Sequence, residues 1–186
     1  MSVQYQRRYF NVSEYYRMAE AGVLTQNDHV ELIEGEIIEM SPIGSRHAAC
    51  VRRLGIHLTR LLGQIVLISI QNPVRLNDYS EPEPDVALLK LRDDFYAQSH
   101  PTPEDTLLII EVADTSAEYD RGIKMPLYAQ AGIAEAWLVN LPKEIIEIYT
   151  EPLNGSYQKC RMVKRGEILT SETITTLTLD VSDVLG

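Results

Sequence analysis

The spacing of apolar positions changes several times along this 186-residue chain, and each change marks a predicted element. In NVSEYYRMAEAG the spacing is helical, which predicts a short helix with Ser13 as N-cap and Gly22 at its stop. HVELIEGEIIEMSP holds two β-capable runs broken at Glu34-Gly35, the pattern of a hairpin whose turn needs positive φ. From Ser45 to about Leu62, Ala48, Val51, Leu54, Leu58, Leu61 and Leu62 recur at helical spacing, with Arg52, Arg53 and Arg60 elsewhere on the wheel. That predicts a long amphipathic helix.

The runs QIVLISI, NPVRLN, PDVALLKL and DTLLIIEVA are β-rich and separated by turn residues, so they predict a central sheet. Between the last two, LRDDFYAQSHPTPED is polar and carries prolines, as a surface connection with one helical turn would. SAEYDRGIKMPLYAQAGI is helical, with Pro126 placed in a first turn or at a kink. EAWLVNL, EIIEIYTE and YQKCRMVKRGE continue as strands; Trp137 belongs to the core, and the last two runs expose sheet edges unless something covers them. This order describes an α+β fold, and without repeats or linkers it forms one domain over residues 1–186.

Composition narrows the possible functions. A formal charge of -10 and a pI near 4.8 argue against a broad, non-specific nucleic-acid surface, which draws on clustered Lys and Arg. Two cysteines in separate elements, Cys50 and Cys160, suggest neither a disulfide framework nor a zinc cluster. No run approaches the roughly 20 apolar residues of a membrane span, and MSVQYQRRYF lacks the features of a signal peptide. A cytoplasmic protein without a membrane partner is the expectation.

Two carboxylates stand out against this background. Asp85 opens one apolar strand-like run and Glu111 closes the next, so on neighbouring strands they would converge at one sheet edge. An isolated charge beside a buried strand has to be paired, neutralised or bound to a cation. Two such oxygens, with a backbone carbonyl and waters, suit Mg2+ or Mn2+, which would lower the pKa of a bound water and offset charge on a phosphoryl group. Lys124, on the following helix, could bring its ammonium back to the same edge. The competing reading is that Lys124 is itself the cation, in a buried ion pair with Glu111.

Four stretches carry a resemblance that spans nearly the whole chain: HVELIEGEIIEMSP with Glu31, SRHA with His47, EPEPDVALL with Asp85, and LIIEVADTSAEYDRGIKMPLYAQAGIAEAWLVN with Glu111, Asp120 and Lys124. They resemble the Uma-type putative restriction endonucleases of the PD-(D/E)XK nuclease superfamily. The resemblance implies a restriction-endonuclease-like core, a central mixed sheet flanked by helices, and a divalent metal, Mg2+ or Mn2+, held by Asp85 and Glu111. In that superfamily a lysine follows the acidic residue on the same strand after one intervening residue. Here Ala113 occupies that place, so the lysine's role falls to Lys124. Glu31 matches the additional acidic residue that such folds aim at the metal.

Together these readings describe a metal-dependent endonuclease hydrolysing phosphodiester bonds, with DNA as the expected partner and Asp85, Glu111, Lys124 and Glu31 as the catalytic set. His47, Arg46 and Arg52 are the substrate-contact candidates, from an Arg-bearing helix that could touch a backbone. Each also has a plainer account. Glu31 sits among Glu34, Glu36 and Glu39 on what could be a solvated face, His47 could face water, and Tyr128 could simply pack on the sheet. Family members resemble dimers, so a homodimer is expected. Two alternatives stay open: a non-catalytic interaction module keeping the nuclease fold, and a nuclease acting on RNA or structured DNA.

Overall fold

Six strands form the main sheet in the order β3-β4-β5-β6-β7-β8: β3 (Leu67–Ile70), β4 (Val86–Leu89), β5 (Thr106–Ala113), β6 (Glu135–Asn140), β7 (Ile145–Leu153) and β8 (Ser156–Lys164). The computed structural model describes residues 6–25 and 27–186. All neighbours are antiparallel except β5 and β6, so the sheet is mixed as expected. A parallel pair needs a crossover, and residues 117–130 supply one. It consists of α3 (Ala117–Tyr119), a π-helical turn (Asp120–Lys124) and α4 (Met125–Gln130), with Pro126 just after the passage from π to α hydrogen bonding.

β5 shows how the sheet sorts its side chains. Leu108, Ile110 and Val112 enter one core cluster with α2 (Ser45–Leu62), whereas Ile109 and Ala113 enter the other, against the crossover. β4 alternates in the same way, with Val86 and Leu88 on the α2 side and Ala87 and Leu89 opposite. By this period of two, Glu111 in β5 shares the crossover face with Ile109 and Ala113. Trp137 is fully buried in the α2-side core, as expected.

The N-terminal segment adds α1 (Val12–Glu20) and the hairpin of β1 (Val30–Ile33) and β2 (Glu36–Glu39). Glu34 (φ 49°) and Gly35 (φ 80°) make the tight turn with the positive φ that its residues predict. An isolated bridge from Leu32 to Glu81 joins the hairpin to the approach of β4. After β8, β9 (Ile168–Thr170) and β10 (Thr178–Asp180) form a second small pair, and α5 (Val181–Leu185) packs on α2.

Three expectations change. The N-cap of α1 is Asn11, whose side chain accepts from the Glu14 N–H in a capping box, and not Ser13; Gly22, at φ +73°, follows the C-cap Ala21. NPVRLN is no strand: it carries only the bridge between Asn77 and Ser80, and Val74 and Leu76 are buried in irregular backbone. A buried apolar pair need not lie in a ladder. β7 is interior, flanked by β6 and β8, so of the last two runs only β8 is an edge.

Candidate active site at the carboxylate edge

The register of β4 on β5 pairs Val86 with Ile110, which brings the residue before Val86 beside the residue after Ile110. Asp85 and Glu111 therefore meet: the Asp85 N–H lies 3.5 Å from Glu111 Oε2, and the Val112 N–H donates to Asp85 Oδ2 at 2.8 Å. The convergence expected of neighbouring strands is present.

Lys124 reaches the same place from the π-helical turn. Its Nζ is 3.3 Å from Glu111 Oε1 and 3.1 Å from Glu31 Oε2. A π turn inserts a residue into the helical ladder and re-aims the side chains around it, and such turns recur at functional sites. Glu31 projects inward from β1 and is 2% exposed, whereas Glu34 and Glu39 face solvent, so it does not belong to the solvated acidic face. Its Oε2 also accepts the Glu83 N–H at 3.1 Å. Asp85, Glu111, Lys124 and Glu31 thus come together from four separate elements.

His47 does not face water. From the first turn of α2 its Nε2 stands 2.9 Å from Asp85 Oδ2, and its Nδ1 is buried without a hydrogen-bond partner. It therefore contacts a proposed metal-binding carboxylate directly. Arg46, beside it, pairs with Asp114 at 3.3 Å, just past the end of β5. Arg52 is exposed and bonds nothing among the described residues, so the structure does not bring it to the site.

Two neighbours carried no site role on sequence alone. The Tyr128 hydroxyl, fully buried on α4, donates to Glu111 Oε1 at 2.5 Å, so this residue packs on the sheet and also touches the site. Asp120 is buried at 4% exposure and accepts from Ser116 Oγ at 2.6 Å. Helical spacing from Lys124 could have flagged Tyr128. Nothing local in the sequence tells a buried Asp120 from an exposed one.

Charge sets the chemistry. Burial pushes the Glu111 carboxyl up to about 8, with Asp85 and Asp120 adding to the rise and Lys124 and Tyr128 opposing it. Burial works against the Lys124 ammonium, but Glu111, Glu31 and Asp120 outweigh it and hold its pKa well above the usual lysine range. Lys124 is thus a permanent cation and not a neutral amine. Burial also raises Asp120, and the hydrogen bond to Asp85 raises His47 against the effect of burial.

The donor set suits a hard divalent cation. Asp85 and Glu111 offer carboxylate oxygens at one edge, and the burial that raises Glu111, with Asp85 adding to it, is what a bound dication would offset. No group of three or more His, Cys, Asp or Glu side chains forms a metal cage among the described residues. Mg2+ does not demand one, since it commonly binds through one or two carboxylates and keeps several waters.

Residues 12–182 match the Uma2 family, described as putative restriction endonuclease, and the chain belongs to that family. Among solved structures, it is similar to a putative nuclease belonging to DUF820 from Anabaena variabilis, with a TM-score of 0.72 and 13% identity over 95% of this chain and 97% of the other. At that identity the likeness establishes the fold alone, an α+β nuclease fold with a central mixed sheet flanked by helices. No curated protein matches.

Proposed function

We propose that this chain is a metal-dependent endonuclease that hydrolyses phosphodiester bonds of DNA. The observation that supports this most is the meeting of Asp85 and Glu111 at one sheet edge with the Lys124 ammonium 3.3 Å from Glu111. Family membership and the nuclease-like fold point the same way. Asp85 and Glu111 are the residues that would hold Mg2+ or Mn2+, which supplies an acidified water and neutralises charge on the phosphoryl group.

The chain's own groups divide the remaining work. Lys124, held protonated, donates hydrogen bonds and positive charge to an oxygen that gains charge during attack; it orients water and does not act as the base. Glu31 anchors Lys124 from the far side and would assist the metal directly or through water. Tyr128 holds Glu111 Oε1, and His47 holds Asp85 Oδ2, so both carboxylates are fixed in orientation.

Calorimetric titration with Mn2+ tests the core of this reading before any cleavage assay. Wild type should bind, and Asp85→Ala and Glu111→Ala should each lose binding by 10-fold or more, roughly the effect of removing a metal-site group. Unchanged affinity in both variants would remove the proposal's foundation. Nicking of supercoiled plasmid with Mg2+ or Mn2+, set beside cleavage of RNA and branched DNA, then identifies the substrate.

A second reading is favoured by one observation: Lys124 already bridges Glu31 and Glu111, so the buried charge is paired without a metal. The fold would then serve as a non-catalytic interaction module, and the net charge of -10 suits a protein partner. Wild type that fails to bind Mn2+ at millimolar concentration would select this reading. A homodimer, expected by resemblance, would pair along an open edge at β3 or β8. Light scattering that shows a monomer at micromolar concentration would end that expectation.

A further inference from the structure

A second cationic feature lies one strand away from the carboxylates. It is a cavity of about 200 Å³ whose wall includes Arg46, Arg53 and Arg165, with Glu144 the one acidic side chain among its lining residues and Gly186 packed against the Arg53 guanidinium. In a chain of net charge -10, three guanidinium groups around one cavity stand out. Arg46, Ala49 and Arg53 lie on one face of α2 at spacings of three and four, and the small Ala49 leaves space between the two arginines. Arg165 comes from the turn after β8 and closes the opposite side.

The cavity shares the sheet edge with the candidate active site. β5 and β6 run parallel, so their C-terminal ends lie side by side, and the Leu141 N–H bonds the Ala113 carbonyl at 2.9 Å. Arg46 spans the two, with NH1 3.3 Å from Asp114 past β5 and NH2 3.5 Å from the Leu141 carbonyl past β6. The next residue, His47, contacts Asp85. One turn of α2 therefore touches both places.

The arginines are held but not exhausted. Arg53 donates from Nε and NH2 to the carbonyls of Val184 and Leu185, and Arg165 donates to Glu144 and to the Gly186 carbonyl. A guanidinium carries five N–H donors in a planar fork, so each keeps donors that bond nothing among the described residues. The Arg165–Glu144 pair is exposed on both sides, 38% and 53%, and is the kind of ion pair an entering anion displaces easily. Fixed arginine forks with spare donors match phosphate oxygens, which they bind in a bidentate manner.

We propose that this cavity seats a backbone phosphate of the nucleic acid, flanking the phosphodiester that lies at the carboxylate edge. The assignment rests on the nuclease reading for its ligand. The commitment is to a phosphate within a chain; a free phosphate or mononucleotide offers the same oxygens and is separated by the test.

Binding of a fluorescently labelled duplex oligonucleotide to the full chain, followed by anisotropy in Ca2+ across a salt series, reads the cavity. Arg165→Gln should weaken binding about 5–10-fold and lower the slope of log K against log salt by about 1. Arg165→Lys, which keeps charge and loses the fork, should fall between wild type and Arg165→Gln. Arg60→Gln removes the same charge from the exposed far end of α2 and should shift affinity less than twofold. Equal losses in Arg165→Gln and Arg60→Gln, or no loss in either, overturn the proposal, provided thermal unfolding shows each variant folded. Inorganic phosphate that raises the Tm of wild type but not of Arg165→Gln, with oligonucleotide affinity unchanged, assigns the cavity to free phosphate and also overturns it. Hydrolysis of bis(p-nitrophenyl) phosphate by wild type with Mn2+ reports the carboxylate edge separately. An inert edge with the Arg165 slope change intact removes the nuclease reading and leaves the cavity standing as a nucleic-acid contact.

Discussion

Replacing Lys124 by methionine removes one positive charge from between Glu31 and Glu111 while keeping most of the apolar stem. The three side chains are 8%, 2% and 4% exposed, so the weak surface-pair regime does not apply. Breaking a buried pair by deleting one partner costs about 3–5 kcal/mol, because the remaining charge is stranded. Two features of the site pull this toward the lower end. Methionine fills the stem's volume, and Glu111, already raised to about 8 by burial, takes up a proton readily. About 3 kcal/mol at neutral pH is the expected loss.

The pH dependence carries the sharper test. A carboxyl whose folded pKa is raised contributes stability that is present below its unfolded value and lost as pH rises through the folded value. Deleting Lys124 raises Glu111 and strands Glu31, so the variant falls behind wild type as pH climbs. The Glu111 part of the gap should be flat up to about pH 8 and open above it, where wild-type Glu111 ionises beside Lys124 and the variant's Glu111 still holds its proton. Lys124's own raised pKa stays above this window and adds no slope within it. Urea unfolding of wild type, Lys124→Met and the Glu31→Gln/Lys124→Met double variant measures all three gaps, and the second substitution should recover part of the loss. A cost under about 1 kcal/mol at pH 8, or a gap that ignores pH, would show that Lys124 is not the buried counter-ion.

Three other outcomes follow from the same structure. Tyr128→Phe removes a hydroxyl donor to Glu111, so stability should fall by about 1–3 kcal/mol and the Glu111 carboxyl should titrate higher; carbon NMR of labelled glutamate reads that shift. Gly35→Ala puts a Cβ 2.7 Å from Tyr9 Cβ on a residue at φ +80°, and about 2 kcal/mol or more should be lost on thermal unfolding, with catalytic loss as Glu31 shifts. Burial pushes Glu147 up, but hydrogen bonds from Arg121 and Tyr149 outweigh it and hold its pKa below the usual range. The wild-type advantage over Glu147→Gln, about 2 kcal/mol, should therefore be complete at neutral pH and disappear as pH falls through that lowered value. A constant difference down to strong acid would contradict the ion-pair account.

Much of the fold was legible because apolar spacing and burial agree. The long α2, the hairpin turn at Glu34-Gly35 and the paired strands ending at Asp85 and Glu111 follow from periodicity and turn chemistry. The exceptions have local causes. In Asn11-Val12-Ser13 two capping residues compete, and Glu14 three positions after Asn11 decides for the box. Val74 and Leu76 are buried outside any ladder because their N–H groups bond the Pro82 and Ser80 carbonyls of the returning loop. β9, β10 and α5 had no strong pattern, being three to five residues each.

The site was legible for a reason weaker than it first looked. A carboxylate inside an apolar strand suggested a charge that needs a partner, and Glu111 is a buried group with a cationic partner. Glu135 and Glu147 are as deeply buried, yet neither joins the site. Glu135 accepts from Ser171, the Glu172 and Thr173 N–H groups and Trp137, while Glu147 is forked by Arg121. Burial alone does not distinguish the three. Convergence does, and convergence depends on which strands are neighbours, information that local pattern does not hold. The burial of His47 was not legible for the same reason, because its partner Asp85 lies on another element.

Glu31 arrives on a two-stranded hairpin outside the six-stranded sheet, tied to the approach of β4 by the Leu32–Glu81 bridge, the Glu83 N–H, and bonds from the Gly35 N–H to the Tyr79 carbonyl and the Glu34 N–H to Ser80 Oγ. Opening of that hairpin breaks few backbone bonds of the main sheet and leaves the β4–β5 register that joins Asp85 to Glu111 unchanged. The Lys124 ammonium would then lose one carboxylate and gain water while the core stays folded. Native-state hydrogen exchange should therefore show two free-energy scales, a lower one for β1 and β2 and a global one for β5 and β6. Loss of Glu31 from Lys124 at the lower scale would then change the charge around Glu111 without global unfolding.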